Sequence, residues 1–155
     1  MVGVVLGPAA LASQRPTRGF IIPGLAVTAR RGLSFGEIFR GMPSSVIPTS
    51  VNGAEFEITV PDPSQLQVTL LLPGALRSAG GEVLPLVFSW GDGFAVREGP
   101  QATSFPFNPN QPFVTTLDSD QRLLVQLGGT VLPGRFQPLA HYDATVTVVV
   151  ADVGI

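Results

Sequence analysis

From Tyr142 to Val150 the chain reads Tyr-Asp-Ala-Thr-Val-Thr-Val-Val-Val. Tyr142, Ala144, Val146, Val148 and Val150 share one parity, and Asp143, Thr145 and Thr147 begin the other. Alternation with a period of two, in β-branched and aromatic residues, fits a pleated strand with one buried face. Just upstream, Leu123 to Gly134 reads as a second strand, bent at Gly128-Gly129 and closed by the Pro133-Gly134 turn.

The same character runs through the rest of the chain. Phe20 to Ala29 reads as a first strand broken or bulged at Pro23-Gly24, followed by a turn at Arg30-Arg31-Gly32. Leu33 to Ile38 is a short strand with Leu33, Phe35 and Ile38 inward, and Val46-Ile47 follows a loop. Ala54, Phe56, Ile58 and Val60 alternate with Glu55, Glu57 and Thr59, and Leu66 to Leu72 alternates in the same way. Val83 to Trp90 is a strand ending in the hairpin signal Gly91-Asp92-Gly93, with a return over Phe94 to Val96. Gly99 to Pro112 is rich in Pro, Phe and Asn and reads as a loop. No window carries a helical period, so the sequence predicts an all-β sandwich or barrel without substantial helix.

Composition narrows the setting. The 155 residues make one domain, taken as residues 20–155 behind an N-terminal arm or signal remnant at 1–19. Only 13% of residues are charged, about half the usual share for a soluble domain. So few charges give little protection against association, which points to burial of surface in an assembly. The net charge of −2 makes no case for nucleic acid or an anionic membrane. All nine basic residues are Arg, a bias that fits a GC-rich genome and says nothing of function. The chain has no Cys, which excludes disulfides, thiolate nucleophiles and Cys-ligated metals.

Three readings fit the uncharged segment Met1 to Ala12, which is too short to span a bilayer. Ala10-Leu11-Ala12 resembles a signal-peptide cleavage site, although a positive leader is missing. The segment also suits an extended arm, with Val2, Val4, Leu6, Ala10 and Ala12 on one parity, able to add to a neighbouring subunit's sheet edge. The third reading is a disordered tail.

Residues with chemical potential each have a simpler reading. His141 is the only His and lacks a second nitrogen or sulfur ligand, so it reads as a residue at the start of a strand. Asp118-Ser119-Asp120 lacks the further oxygens and the Gly of a calcium loop and reads as a turn. No Ser lies in a Gly-x-Ser-x-Gly elbow, and no Gly-rich phosphate loop occurs. Glu55 and Glu57 share one strand and read as a solvated face. No catalytic residue, metal or cofactor is expected. Trp90, Phe94, Phe105, Phe107 and Phe113 could stack on a sugar. In so apolar a chain they fit the core or a subunit interface better.

In order, Leu33-Ser34-Phe35-Gly36, the pair Ala54–Pro61 and Leu66–Leu72, then Leu127-Gly128-Gly129-Thr130-Val131, and last Tyr142 with Thr145-Val146-Thr147-Val148 make a recognisable series. It resembles the pilin-like bacterial surface proteins related to spore coat protein U, over Gly19 to Val150. Where that family carries a Gly shortly before the Tyr, this chain has His141. The resemblance implies an immunoglobulin-like, pilin-type antiparallel β-sandwich with an extended N-terminal arm. Such a sandwich lacks one strand, and the N-terminal strand of another copy fills the gap. Here the donor residues would be Val2, Val4, Leu6, Ala10 and Ala12.

The expectation is therefore a non-enzymatic structural subunit of a bacterial surface filament or coat, extracellular or on the cell surface. Its partners would be copies of itself, joined head to tail, and an assembly chaperone, with no nucleic acid and no membrane insertion. The alternatives are a phage virion or capsid decoration protein and, behind it, a carbohydrate-binding module.

Overall fold

The computed structural model of the chain describes residues 2–5 and 7–11 as backbone and residues 25–154 with their side chains. Its described elements are all strands: β1 Val2–Val5, β2 Gly7–Leu11, β3 Ala26–Arg31, β4 Ser34–Ile38, β5 Ser44–Val46, β6 Ala54–Thr59, β7 Ser64–Leu71 and β8 Ala75–Arg77 in the first half. The second half adds β9 Val83–Val87, β10 Gly93–Glu98, β11 Thr103–Phe107, β12 Phe113–Leu117, β13 Arg122–Leu127, β14 Gly129–Val131, β15 His141–Tyr142 and β16 Thr145–Asp152.

Two sheets make a β-sandwich-like body. One is five-stranded in the order β11-β10-β13-β6-β3, and the other is four-stranded in the order β12-β7-β16-β2. The strands of each sheet turn one parity toward a shared core. Ala54, Phe56 and Ile58 of β6 and Leu123, Val125 and Leu127 of β13 are buried, as are Leu66 and Val68 of β7 and Val146, Val148 and Val150 of β16. Each fully buried Val or Leu contributes about 1.5–3 kcal/mol, so this shared face outweighs any local preference.

After β13 the chain bends at Gly128, and β14 joins a smaller sheet in the order β5-β14-β9-β8. A Cβ on Gly128 would sit 2.1 Å from the Val46 carbonyl oxygen, so only glycine lets the two backbones pass this closely. Leu33, Phe35 and Ile38 are all buried, as the sequence indicates. Gly36, at φ +64°, shifts the parity between Phe35 and Ile38.

Several boundaries differ from the sequence reading. The expected turn at Arg30-Arg31 is strand, with a register shift between Ala29 and Arg31 against β6, while residues 20–24 of the expected first strand lie outside the described residues. The expected loop of residues 99–112 contains β11. Pro106 is tolerated there because β11 is the sheet's outermost strand and bonds only to β10. The long final strand is interrupted at Asp143-Ala144, where the Asp143 backbone exchanges hydrogen bonds of 2.9 and 3.0 Å with Arg77.

Candidate functional site

The feature with most bearing on function is the N-terminal strand β1, which lies between β4 and β15 in a three-stranded sheet. β1 pairs antiparallel with β4 on one flank, from Val2 opposite Ile38 to Val5 opposite Ser34. On its other flank it pairs parallel with β15, Gly3 opposite His141 and Val4 opposite Tyr142. β2 continues this line parallel to β16, from Gly7 opposite Thr145 to Leu11 opposite Val148. Without residues 2–11, the β4 and β15 edges and one edge of β16 would present unpaired N–H and C=O groups, the usual template for another strand. Of the expected donor residues, Val2 and Val4 lie in β1 and Ala10 in β2, whereas Leu6 and Ala12 lie outside the described residues.

The wall of this slot is anchored by Tyr142, which is fully buried. Its hydroxyl donates to the Pro138 carbonyl at 2.7 Å and accepts from Gln137 Nε2 at 2.8 Å. Gln137 is buried too; its Nε2 also donates to the Val83 carbonyl at 3.0 Å, and its Oε1 accepts from the Gly134 amide at 3.3 Å. This buried polar network fixes the loop of residues 132–140 to the start of β15, a role that no periodicity in the sequence announces.

The aromatics divide. Phe107 is buried, and its ring lies 4.4 Å from that of Phe113, which meets Phe105 edge-on at 5.7 Å. The Phe107 ring lies where a side chain on Gly93, its cross-strand partner, would be. These three rings plug the sandwich between β11 and β12, so they are not a platform for a flat ligand. Phe94 is half-buried on the other face of β10. Trp90 alone of the five is well exposed, in the turn before β10.

Glu55 and Glu57 do not form a freely solvated face. Glu57 pairs with Arg30 at 3.0 Å and Arg122 at 3.3 Å, Arg122 also holds Glu98, and Glu55 lies 3.8 Å from Arg30 and Arg31. The ladder crosses β3, β6, β13 and β10. The hydrogen bond and charge of Glu98 hold the Arg122 guanidinium above its already high ordinary pKa. Arg97 reaches inward to the Thr116 carbonyl at 3.1 Å and ties the two sheets together at their open edge.

The remaining candidates are structural in geometry. Asp118-Ser119-Asp120 is a turn closed by the Gln121 amide on the Asp118 carbonyl at 3.0 Å. The Gln121 side chain, not that of Asp or Ser, caps the Asp118 amide at 2.9 Å. His141 is exposed at the start of β15. Among the described residues no helix is long and apolar enough to cross a membrane. No protein-family model and no curated protein matches the chain.

Sequence reasoning missed one surface. Phe39 and Met42 between β4 and β5, and Phe136 and Leu139 between β14 and β15, are exposed. Their two loops are joined by Gly41 N–H to the Gly134 carbonyl at 3.0 Å and Arg40 Nε to the Gln137 carbonyl at 2.7 Å. The only signal was apolar residues inside segments bounded by Gly and Pro.

Proposed function

We propose that this chain is a non-enzymatic structural subunit of a bacterial surface filament or coat, built as an immunoglobulin-like, pilin-type sandwich whose slot takes the N-terminal strand of another copy. The observation that carries the reading is the position of β1, paired on both flanks between β4 and β15. A segment that completes its own fold through backbone bonds can complete the same site in a neighbour, which is the logic of strand exchange between protomers. Two further features support it. The Tyr142 hydroxyl bonded back to the Pro138 carbonyl resembles the tyrosine corner of immunoglobulin-like sandwiches. The low charge fits a chain whose surface is covered in an assembly.

A head-to-tail exchange is heterologous and makes an open polymer when its rotation does not close. The test is deletion of residues 1–12, with electron microscopy of the assembled product. The expected result is loss of filaments from the deleted chain, while the full-length chain forms them under the same conditions. Filaments unchanged by the deletion would refute the donor role, and closed shells with the arm wrapped around neighbours would give the virion reading instead.

A further inference from the structure

The two ends of the sandwich differ in chemistry. At one end, Phe39, Met42, Phe136 and Leu139 are 57%, 60%, 84% and 60% exposed. They lie beside Arg40 and Arg135, and the Arg135 guanidinium stands 5.7 Å from the centre of the Phe136 ring. The loop carrying Phe136 is fixed from beneath by Gln137 and Tyr142, so the ring cannot turn into the core without breaking a buried network. The opposite end lies where β16 finishes at Asp152, about 35 Å away along an extended chain. There a cavity of 230 Å³ has Leu25, Val60 and Leu66 among its walls, with the exposed carboxylates Asp62 and Asp152 beside them. Asp118 and Asp120 stand in the turn at the same end.

We propose that these ends are the two halves of a contact between successive copies of this chain, Phe136 of one entering the cavity of the next while Arg135 meets Asp62 and Asp152. Charge selects this pairing. Apolar end on apolar end would bring Arg40 and Arg135 toward their copies, with Glu37 as the acidic side chain nearby, and acidic end on acidic end would bring Asp62, Asp152, Asp118 and Asp120 together, with Arg122 beside them, so the unlike pairing is the better matched. None of Arg135, Asp62 and Asp152 has an ion-pair partner among the described residues, where the ion pairs are confined to the ladder on the β3-β6-β13-β10 face. An aromatic ring with a cation beside it, facing a cavity of mixed lining that includes Pro61, Pro63 and two carboxylates, is the kind of anchor that dominates interfaces. The contact joins unlike surfaces and so repeats without closing. It rests on the reading of the chain as a subunit of a homopolymer, and it adds a second contact that is independent of the exchanged strand.

The chain has no Cys, so introduced pairs report the contact cleanly. Gly134→Cys, at a position open to solvent, and Pro63→Cys, beside the cavity, are combined in the full chain, which is assembled and mildly oxidised. The proposal expects a ladder of covalent multimers. Adding Arg135→Asp lowers the yield about tenfold, and Asp62→Arg with Asp152→Arg in that same chain restores it. Phe136→Ala also lowers it. All four residues are exposed, so unchanged melting shows that folding is intact. A ladder indifferent to Arg135→Asp overturns the proposal. Filaments that form normally, depend on residues 1–12 and give no ladder overturn it too, while leaving the donor-strand reading standing. Filaments indifferent to residues 1–12 that still give a charge-dependent ladder do the reverse.

Discussion

Tyr142→Phe removes one oxygen atom and leaves the ring in place. Two hydrogen bonds go with it, the donation to Pro138 and the acceptance from Gln137. Neither partner is fully orphaned: Gln137 Nε2 keeps the Val83 carbonyl, and Pro138 lies at the surface, where its carbonyl can meet water. The cost is then the net worth of two ordinary bonds, about 1–2 kcal/mol, without a desolvation penalty. For a domain of this size that lowers the melting temperature by roughly 2–8 °C. Gln137→Leu removes three bonds and leaves Tyr142 its bond to Pro138, for about 2–3 kcal/mol. Because the two side chains share one bond, the double variant should cost less than the sum by about 0.5–1 kcal/mol. Urea unfolding of the four proteins measures the cycle, with the denaturant slope unchanged. Tyr142→Phe within about 0.3 kcal/mol of wild type, or a strictly additive cycle, would refute the view that this network holds the loop.

Gly128→Ala should cost about 3 kcal/mol or more, because its Cβ would meet backbone and not a yielding side chain; soluble yield and urea midpoint report it. Phe107→Ala empties a buried aromatic site and should cost about 3–5 kcal/mol. Trp90→Ala, at an exposed turn, should stay within about 0.5 kcal/mol in the same assay unless the residue is covered in the assembly. Arg122→Ala should change stability mainly at low salt, since Arg122 is exposed and its pairs with the half-buried Glu57 and Glu98 are screened by salt; melting curves across a salt series check this.

How far the sequence disclosed this structure depends on what each residue's pattern had to overcome. Phe56, Ile58, Leu66, Val68, Val146 and Val148 were legible because burial on one face and polarity on the other leave only one register for each strand. β8, three residues long, and β11, with a proline inside it, were not. Their pairing comes from neighbours distant in sequence, which no local pattern contains. The break at Asp143 follows from its exchange with Arg77, also a long-range event. For the candidate site, alternation at Val2 and Val4 indicated a strand, but only topology supplies β4 and β15 as its partners. The exposure of Phe136 was illegible because hydrophobicity alone ranks it with the core residues.

The double pairing of β1 also governs timing. A strand at a sheet edge frays one bond at a time, whereas β1 has to part from both β4 and β15 before the slot between them is empty. Its departure is a rare, concerted opening, and so is the departure of any strand lodged in its place. Whichever segment reaches the slot first keeps it for as long as that opening takes. In the proposed polymer the order of arrival would then decide the outcome, and a joint once made would persist by slowness of escape.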